Sequence, residues 1–178
     1  MNKFLKIFSI SIAVLSVFVN IAPAQYENAG KLNTWTTKNI QRIYEDETAS
    51  ESLCKIRVAK NKGYDRVVFE FNGGKPNYVI QYLPSNIYST DGGDHIIKIA
   101  GKVFMVVNIY GMRQLDELPC ELKDYPKGNL KFQTLQEIDE GVWFEGIKDL
   151  LIGVKSKKPF RVEELTNPSR LVIDFKHK

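Results

Sequence analysis

The chain is poor in the residues most often used for chemistry. It has two cysteines and two histidines among 178 residues. No G-x-S-x-G elbow occurs, and no serine stands at a recognisable spacing from a histidine. There is no EF-hand loop, no zinc-ligand spacing and no glycine loop able to cradle a phosphate. Glu163 and Glu164 would fall on opposite faces of a strand, so they make no acid–base dyad. Asp91, Asp94 and His95 in "DGGDH" could ligate a metal, but Asp-Gly-Gly is first of all hairpin-turn chemistry. These absences point to no enzyme, no metal and no cofactor.

Long hydrophobic runs are also scarce. One occurs, "IFSISIAVLSVFV" (Ile7–Val19), after Lys3 and Lys6 and before "APA" (Ala22–Ala24). At about 13 residues it is short of the roughly 20 that span a bilayer. The order of charge, apolar run and small residues is that of a secretory signal peptide, residues 1–24, cleaved before Gln25. No later run is long enough for a transmembrane helix, so no integral membrane segment is expected after cleavage. The expected location is secreted or periplasmic.

Excess charge is missing as well. Cleavage removes Lys3 and Lys6 with no acid, lowering the formal net charge from +4 to +2. Nothing in that balance argues for nucleic acid. The remaining 154 residues suit one domain with a real core. In an exported chain an even pair of cysteines suggests a disulfide, here Cys54–Cys120. Free buried thiols, or a catalytic thiol served by His95 or His177, stay open as alternatives.

The rest of the chain has a β texture. Residues 25–52 are polar and without a clear period, suiting a tether or a strap over the domain edge. Within them "TTKNIQRIYED" is compatible with one short helix. From 53 to 178, short runs rich in Val, Ile, Phe and Tyr alternate with Gly, Asn, Asp and Pro clusters. Strands are expected at 54–59, 66–71, 77–83, 95–100, 103–109, 130–138, 142–155, 160–165 and 170–176. The run 142–155 is long, with Gly146 and Gly153 suggesting a bulge or bend. The fold class is all-β: an antiparallel β-sandwich of about eight or nine short strands, with a barrel as the alternative.

Two strands carry nearly one text, "DRVVFEF" (Asp65–Phe71) and "SRLVIDF" (Ser169–Phe175). Alternation puts Val67, Phe69 and Phe71, and likewise Leu171, Ile173 and Phe175, on a core face. An arginine and an acid share each opposite face, about 13 Å apart and out of mutual reach. Antiparallel pairing with Val68 opposite Val172 would set Arg66 against Asp174 and Glu70 against Arg170.

The same motifs, taken in order, carry a family resemblance. They are "DRVVFEF", the turn at Gly73, Gly74, Pro76 and Tyr78, and "DGGD" at Asp91–Asp94. Then come "FEG" (Phe144–Gly146), Ile152–Gly153, "PFRV" (Pro159–Val162) and "NPSRLVIDFKH" (Asn167–His177). Together they resemble the AMIN-like domain family, related to the β-sandwich AMIN modules found beside N-acetylmuramoyl-L-alanine amidases. The cysteines lie outside that pattern. The resemblance implies a non-catalytic envelope module that binds peptidoglycan or another glycan polymer. The alternative is an envelope protein–protein or structural module, and a thiol hydrolase is the weakest reading. Aromatic faces flanked by forked polar donors suit sugars and peptide stems. The candidate contacts are Arg66, Tyr78, Tyr82, Trp143, Arg161 and Arg170, although rings such as Tyr78 and Tyr82 equally suit a core stripe.

Overall fold

The computed structural model describes residues 27–28, 33–44, 50–85, 87–89, 96–112, 120, 122–123 and 125–178. The signal-peptide segment and the Asp91, Asp94 and His95 turn lie outside these residues. The described residues hold twelve strands: β1 Glu27–Asn28, β2 Ile40–Arg42, β3 Ser50–Asn61, β4 Tyr64–Gly73, β5 Asn77–Leu83, β6 Ile87–Ser89, β7 Ile96–Lys98, β8 Val103–Tyr110, β9 Leu135–Phe144, β10 Ile147–Val154, β11 Phe160–Leu165 and β12 Ser169–Lys176. They form a four-stranded sheet, β11-β12-β4-β3, a six-stranded sheet, β1-β2-β5-β8-β10-β9, and the β6–β7 ribbon. All ladders are antiparallel except the two-residue β1–β2 pair. Both large sheets are open, so the fold is a β-sandwich and not a barrel.

One core fills the space between the sheets. Val67, Phe69, Phe71, Leu171, Ile173 and Phe175 enter it from the four-stranded sheet. Tyr78, Ile80, Met105, Val107, Ile109, Leu150, Ile152 and Val154 enter from the other. The twin motif therefore has its expected core face. Its register is also the one drawn from alternation: Val68 pairs with Val172, Arg66 with Asp174 and Glu70 with Arg170. Only one of the two charge pairs closes. Arg66 donates to Asp174 through Nε at 2.6 Å and Nη2 at 2.9 Å. Glu70 is taken instead by Arg57 of β3 at 2.8 Å, and Arg170 donates to the Pro168 carbonyl at 3.3 Å.

Two expected elements are corrected. The run 142–155 is not one bent strand but the arms of a hairpin, β9 and β10, turning at Glu145–Gly146. Both turn residues have positive φ, 48° and 76°, the pairing that matches the right-handed twist of a two-residue hairpin. Glutamate is a poor advertisement for that conformation, so the apolar run hides its turn. The segment 36–46 holds no short helix in its described part. Ile40–Arg42 pairs antiparallel with β5, and Ile40 is buried in the core. So short a helix is marginal alone, whereas a sheet edge supplies partners at once. The strand expected at 130–138 begins only at Leu135.

Residues 33–44 act as a strap. Thr36 exchanges two 2.8 Å backbone hydrogen bonds with Phe160, and Asn33 N–H donates to Val162 O. The chain thus covers the β11 edge of one sheet and then joins the other sheet at β5. Tyr44 and Tyr78 both donate hydroxyl hydrogen bonds to Glu164, which ties the end of the strap to both layers.

Cys54 and Cys120 are joined by a disulfide, with Cα atoms 5.3 Å apart. Leu53 pairs with Phe71 and Lys55 with Glu70, leaving Cys54 as the extra residue of a bulge. A bulge re-aims a side chain, and here it turns the thiol out of the ladder toward the 120 loop. No thiol remains as a nucleophile, so the thiol-hydrolase reading falls.

A candidate ligand cleft on the outer face of the six-stranded sheet

Alternation along β8 sets Phe104, Val106, Asn108 and Tyr110 on the face away from the core. On neighbouring β10 the outward residues are Ile147, Asp149 and Leu151. Half of this face is sealed: Phe104, Val106 and Leu151 pack with Ile99 under Tyr88, Ile97 and Leu83. The β6–β7 ribbon forms part of that lid. Beyond the lid the face changes from apolar to polar and opens into a cleft of about 490 Å³.

Asp149 is its centre. Asn108 lies directly opposite on β8 and donates through Nδ2 to Oδ1 at 2.6 Å. The Tyr88 hydroxyl reaches over from the ribbon and donates to Oδ2. Gly141 of β9 makes room for both: a Cβ there would sit 2.8 Å from the Asp149 Cβ and 3.3 Å from the Tyr88 ring. Tyr110, Val142, Ile147 and Phe144 complete the walls. Phe144 closes β9 beside the positive-φ turn and is 64% exposed.

The cleft can bind, and it is poorly equipped to hydrolyse. Each Asp149 oxygen already accepts one donor and keeps capacity for a ligand hydroxyl. Ring faces nearby suit the apolar face of a sugar. Among the described lining residues Asp149 is the one carboxylate, whereas glycoside hydrolysis takes a pair. Nor does any group of three or more His, Cys, Asp and Glu among the described residues suit a metal.

The residues singled out from sequence are scattered. Arg66 and Arg161 come together on the outer face of the four-stranded sheet. Both are committed to Asp174, which accepts from Arg161 Nε at 2.8 Å and is 2% exposed. The Arg66 guanidinium is held above its ordinary range by its own hydrogen bonds to Asp174. Arg161 also lies 4.8 Å from the Trp35 ring centre and 5.1 Å from that of Tyr64. Arg170 stands apart on β12. Tyr78 is a correction: at 0% exposure its ring belongs to the core, and burial raises its phenol far above the usual tyrosine range. Tyr82 is half-buried, edge-on to Phe160, and donates to the Lys158 carbonyl at 2.9 Å. Trp143 packs on the core, 5.4 Å from the Lys148 ammonium. Sequence reasoning passed over Asn108, Tyr110 and Asp149. The available signal was a polar residue and a tyrosine in phase with Phe104 and Val106 in "FMVVNIY".

Fold and cleft together describe an all-β sandwich with an open cleft on the outer face of its larger sheet. The AMIN-like domain family model matches residues 51–177, and the chain belongs to that family. No curated protein matches it. Membership marks an envelope-associated type of module that is generally non-catalytic, and the Cys54–Cys120 bond fits an oxidising compartment.

Proposed function

We propose that the protein is exported by its N-terminal signal segment, cleaved before Gln25. On this reading it serves in the bacterial envelope as a non-catalytic module for a glycan polymer, peptidoglycan foremost. The observation that carries the reading is the pairing of exposed Phe144 with the buttressed Asp149 carboxylate in one open cleft. An apolar ring face beside fixed polar groups is how a small domain grips a sugar. Retention on purified peptidoglycan sacculi tests it. Wild-type protein should co-sediment, while Phe144→Ala and Asp149→Asn should each reduce retention about tenfold, at unchanged circular dichroism. Wild-type protein left in the supernatant would overturn the reading.

A protein partner is the second reading, favoured by exposed Ile87 and Ile96 on the ribbon (50% and 70%) together with Phe144. In that case sacculi fail to retain the chain, and a crosslinkable side chain at Ile96 captures an envelope protein.

A further inference from the structure

The opposite end of the β8–β10–β9 ladder carries a different surface. There Val154 pairs with Val103 and with Leu135. This end lies about 23 Å along β10 from the Phe144 turn, at roughly 3.3 Å per residue. Four separate chain segments meet at it and are locked by backbone hydrogen bonds. Lys102 N–H donates to Val154 O at 3.0 Å, and Lys155 N–H to Thr134 O at 2.9 Å. His177 N–H donates to Gly63 O at 2.9 Å. Between them lies a cleft of about 320 Å³, lined by Lys102, Lys155, Lys158, Ser156, Thr134 and His177.

We propose that this cleft binds a phosphate group. Three lysines line it, and no lining residue is a carboxylate. The nearby acids already have partners. Glu137 accepts from the Ala100 amide at 2.6 Å. Asp65 is fully buried and accepts from the Thr134 and Leu135 amides and contacts His177 Nε2 at 2.9 Å. The concentration of charge does not follow from composition, because the chain without residues 1–24 carries only +2. Three like charges held around one small space repel, and a bound anion relieves that repulsion. Three point-charge donors beside the Ser156 hydroxyl suit a compact oxyanion, and a tetrahedral phosphate, free or esterified, offers them more than one acceptor oxygen at once. The phosphate can be free or part of a phosphodiester polymer. The proposal is independent of the glycan reading, since the two clefts share no residue.

The test is titration of the oxidised protein without residues 1–24 with inorganic phosphate and, separately, with a soluble glycerol-phosphate oligomer. Binding is followed by amide chemical shifts and calorimetry. The expected result is saturable binding of at least the oligomer, with shifts centred on residues 102, 134 and 155–158 and weakening as salt rises. Lys155→Ala/Lys158→Ala should lose about tenfold or more in affinity, while Lys155→Arg/Lys158→Arg retains most of it. Binding of both ligands assigns the site to phosphate in general; binding of the oligomer alone assigns it to the polymer. Absence of saturable binding by either ligand overturns the proposal. So do shifts centred elsewhere, or a double alanine variant that is folded and binds like wild type. The Phe144→Ala variant should bind phosphate normally, which separates this outcome from failure of the sugar cleft.

Discussion

Replacing Arg66 by alanine should be more costly than a surface arginine normally is. The reason is Asp174, which is 2% exposed and takes two hydrogen bonds from Arg66 and one from Arg161. Surface ion pairs contribute about 0–1 kcal/mol. Here the acceptor is buried while the two arginine side chains are 28% and 26% exposed, so the pair falls between the surface and interior cases. Charged hydrogen bonds contribute about 1.5–3 kcal/mol each, and the exposed arginine ends argue for the lower part of that range. Arg66→Ala leaves the carboxylate on Arg161 alone and should destabilise by about 2 kcal/mol. Asp174→Ala removes all three hydrogen bonds but leaves two arginines that can both reach water, and should cost about 2–3 kcal/mol. Arg66→Lys keeps the charge but loses the fork, and should lie about midway between wild type and alanine. Urea unfolding of the two single variants and the double variant gives the coupling, expected at about 1–2 kcal/mol. Coupling below about 0.3 kcal/mol would refute the reasoning, because it would mean that Asp174 is solvated and its partners interchangeable with water.

Phe69→Ala, at the centre of the twin motif and fully buried, should cost about 3–5 kcal/mol in the same unfolding assay. Cys54→Ser opens a loop whose ends are 66 residues apart, and the chain-entropy relation gives a loss of about 4 kcal/mol, measurable as a lowered urea midpoint. Burial raises the Tyr78 and Tyr82 phenols above the ordinary value of 10.0. A raised folded pKa means that the folded state keeps protons which the unfolded state releases. That stabilisation is whole below about pH 10 and is lost as pH climbs through the folded values. Calorimetric Tm should therefore fall steeply above pH 10, and phenolate absorbance from these two residues should appear only on unfolding.

How much was legible follows from what each signal reports. Period-two alternation reports which face is buried, and it found the six core side chains of the twin motif and their register. It says nothing about the depth of the opposite face, so it missed that Asp174 is buried under two arginines. Turn chemistry found the glycine pair after Phe71. It failed at Glu145–Gly146 because the φ that makes that hairpin is imposed by the sheet rather than announced by Asn or Asp. Aromatic counting named Tyr78 and Tyr82, but a ring in phase with Ile80 on a central strand is a core ring. The lysine cleft was invisible for a simpler reason: Lys102 and Lys155 are 53 positions apart, and only the β8–β10 ladder brings them together.

The motifs that carry the family resemblance mostly have backbone jobs. Gly153, in the Ile152–Gly153 motif, sits where a Cβ would fall 2.1 Å from the Ala100 carbonyl oxygen, so that strand can cross the chain only as glycine. Gly146 and Glu145 make the β9–β10 turn. "SRLVIDF" closes the core from one side and "PFRV" borders it. Phe144 is the exception, the one motif ring the structure leaves largely in solvent. Its companions in the cleft, Asn108, Tyr110 and Asp149, lie outside every motif that carries the resemblance. The lysines of the second cleft do too, with His177 alone inside a motif. A frame written in one set of residues and a cleft lined by another can be tuned separately: Asp149→Asn should change the hydrogen bonding in the cleft without changing how the chain folds. Family membership therefore constrains the frame far more tightly than the ligand, and the cleft residues are where experiments on recognition should begin.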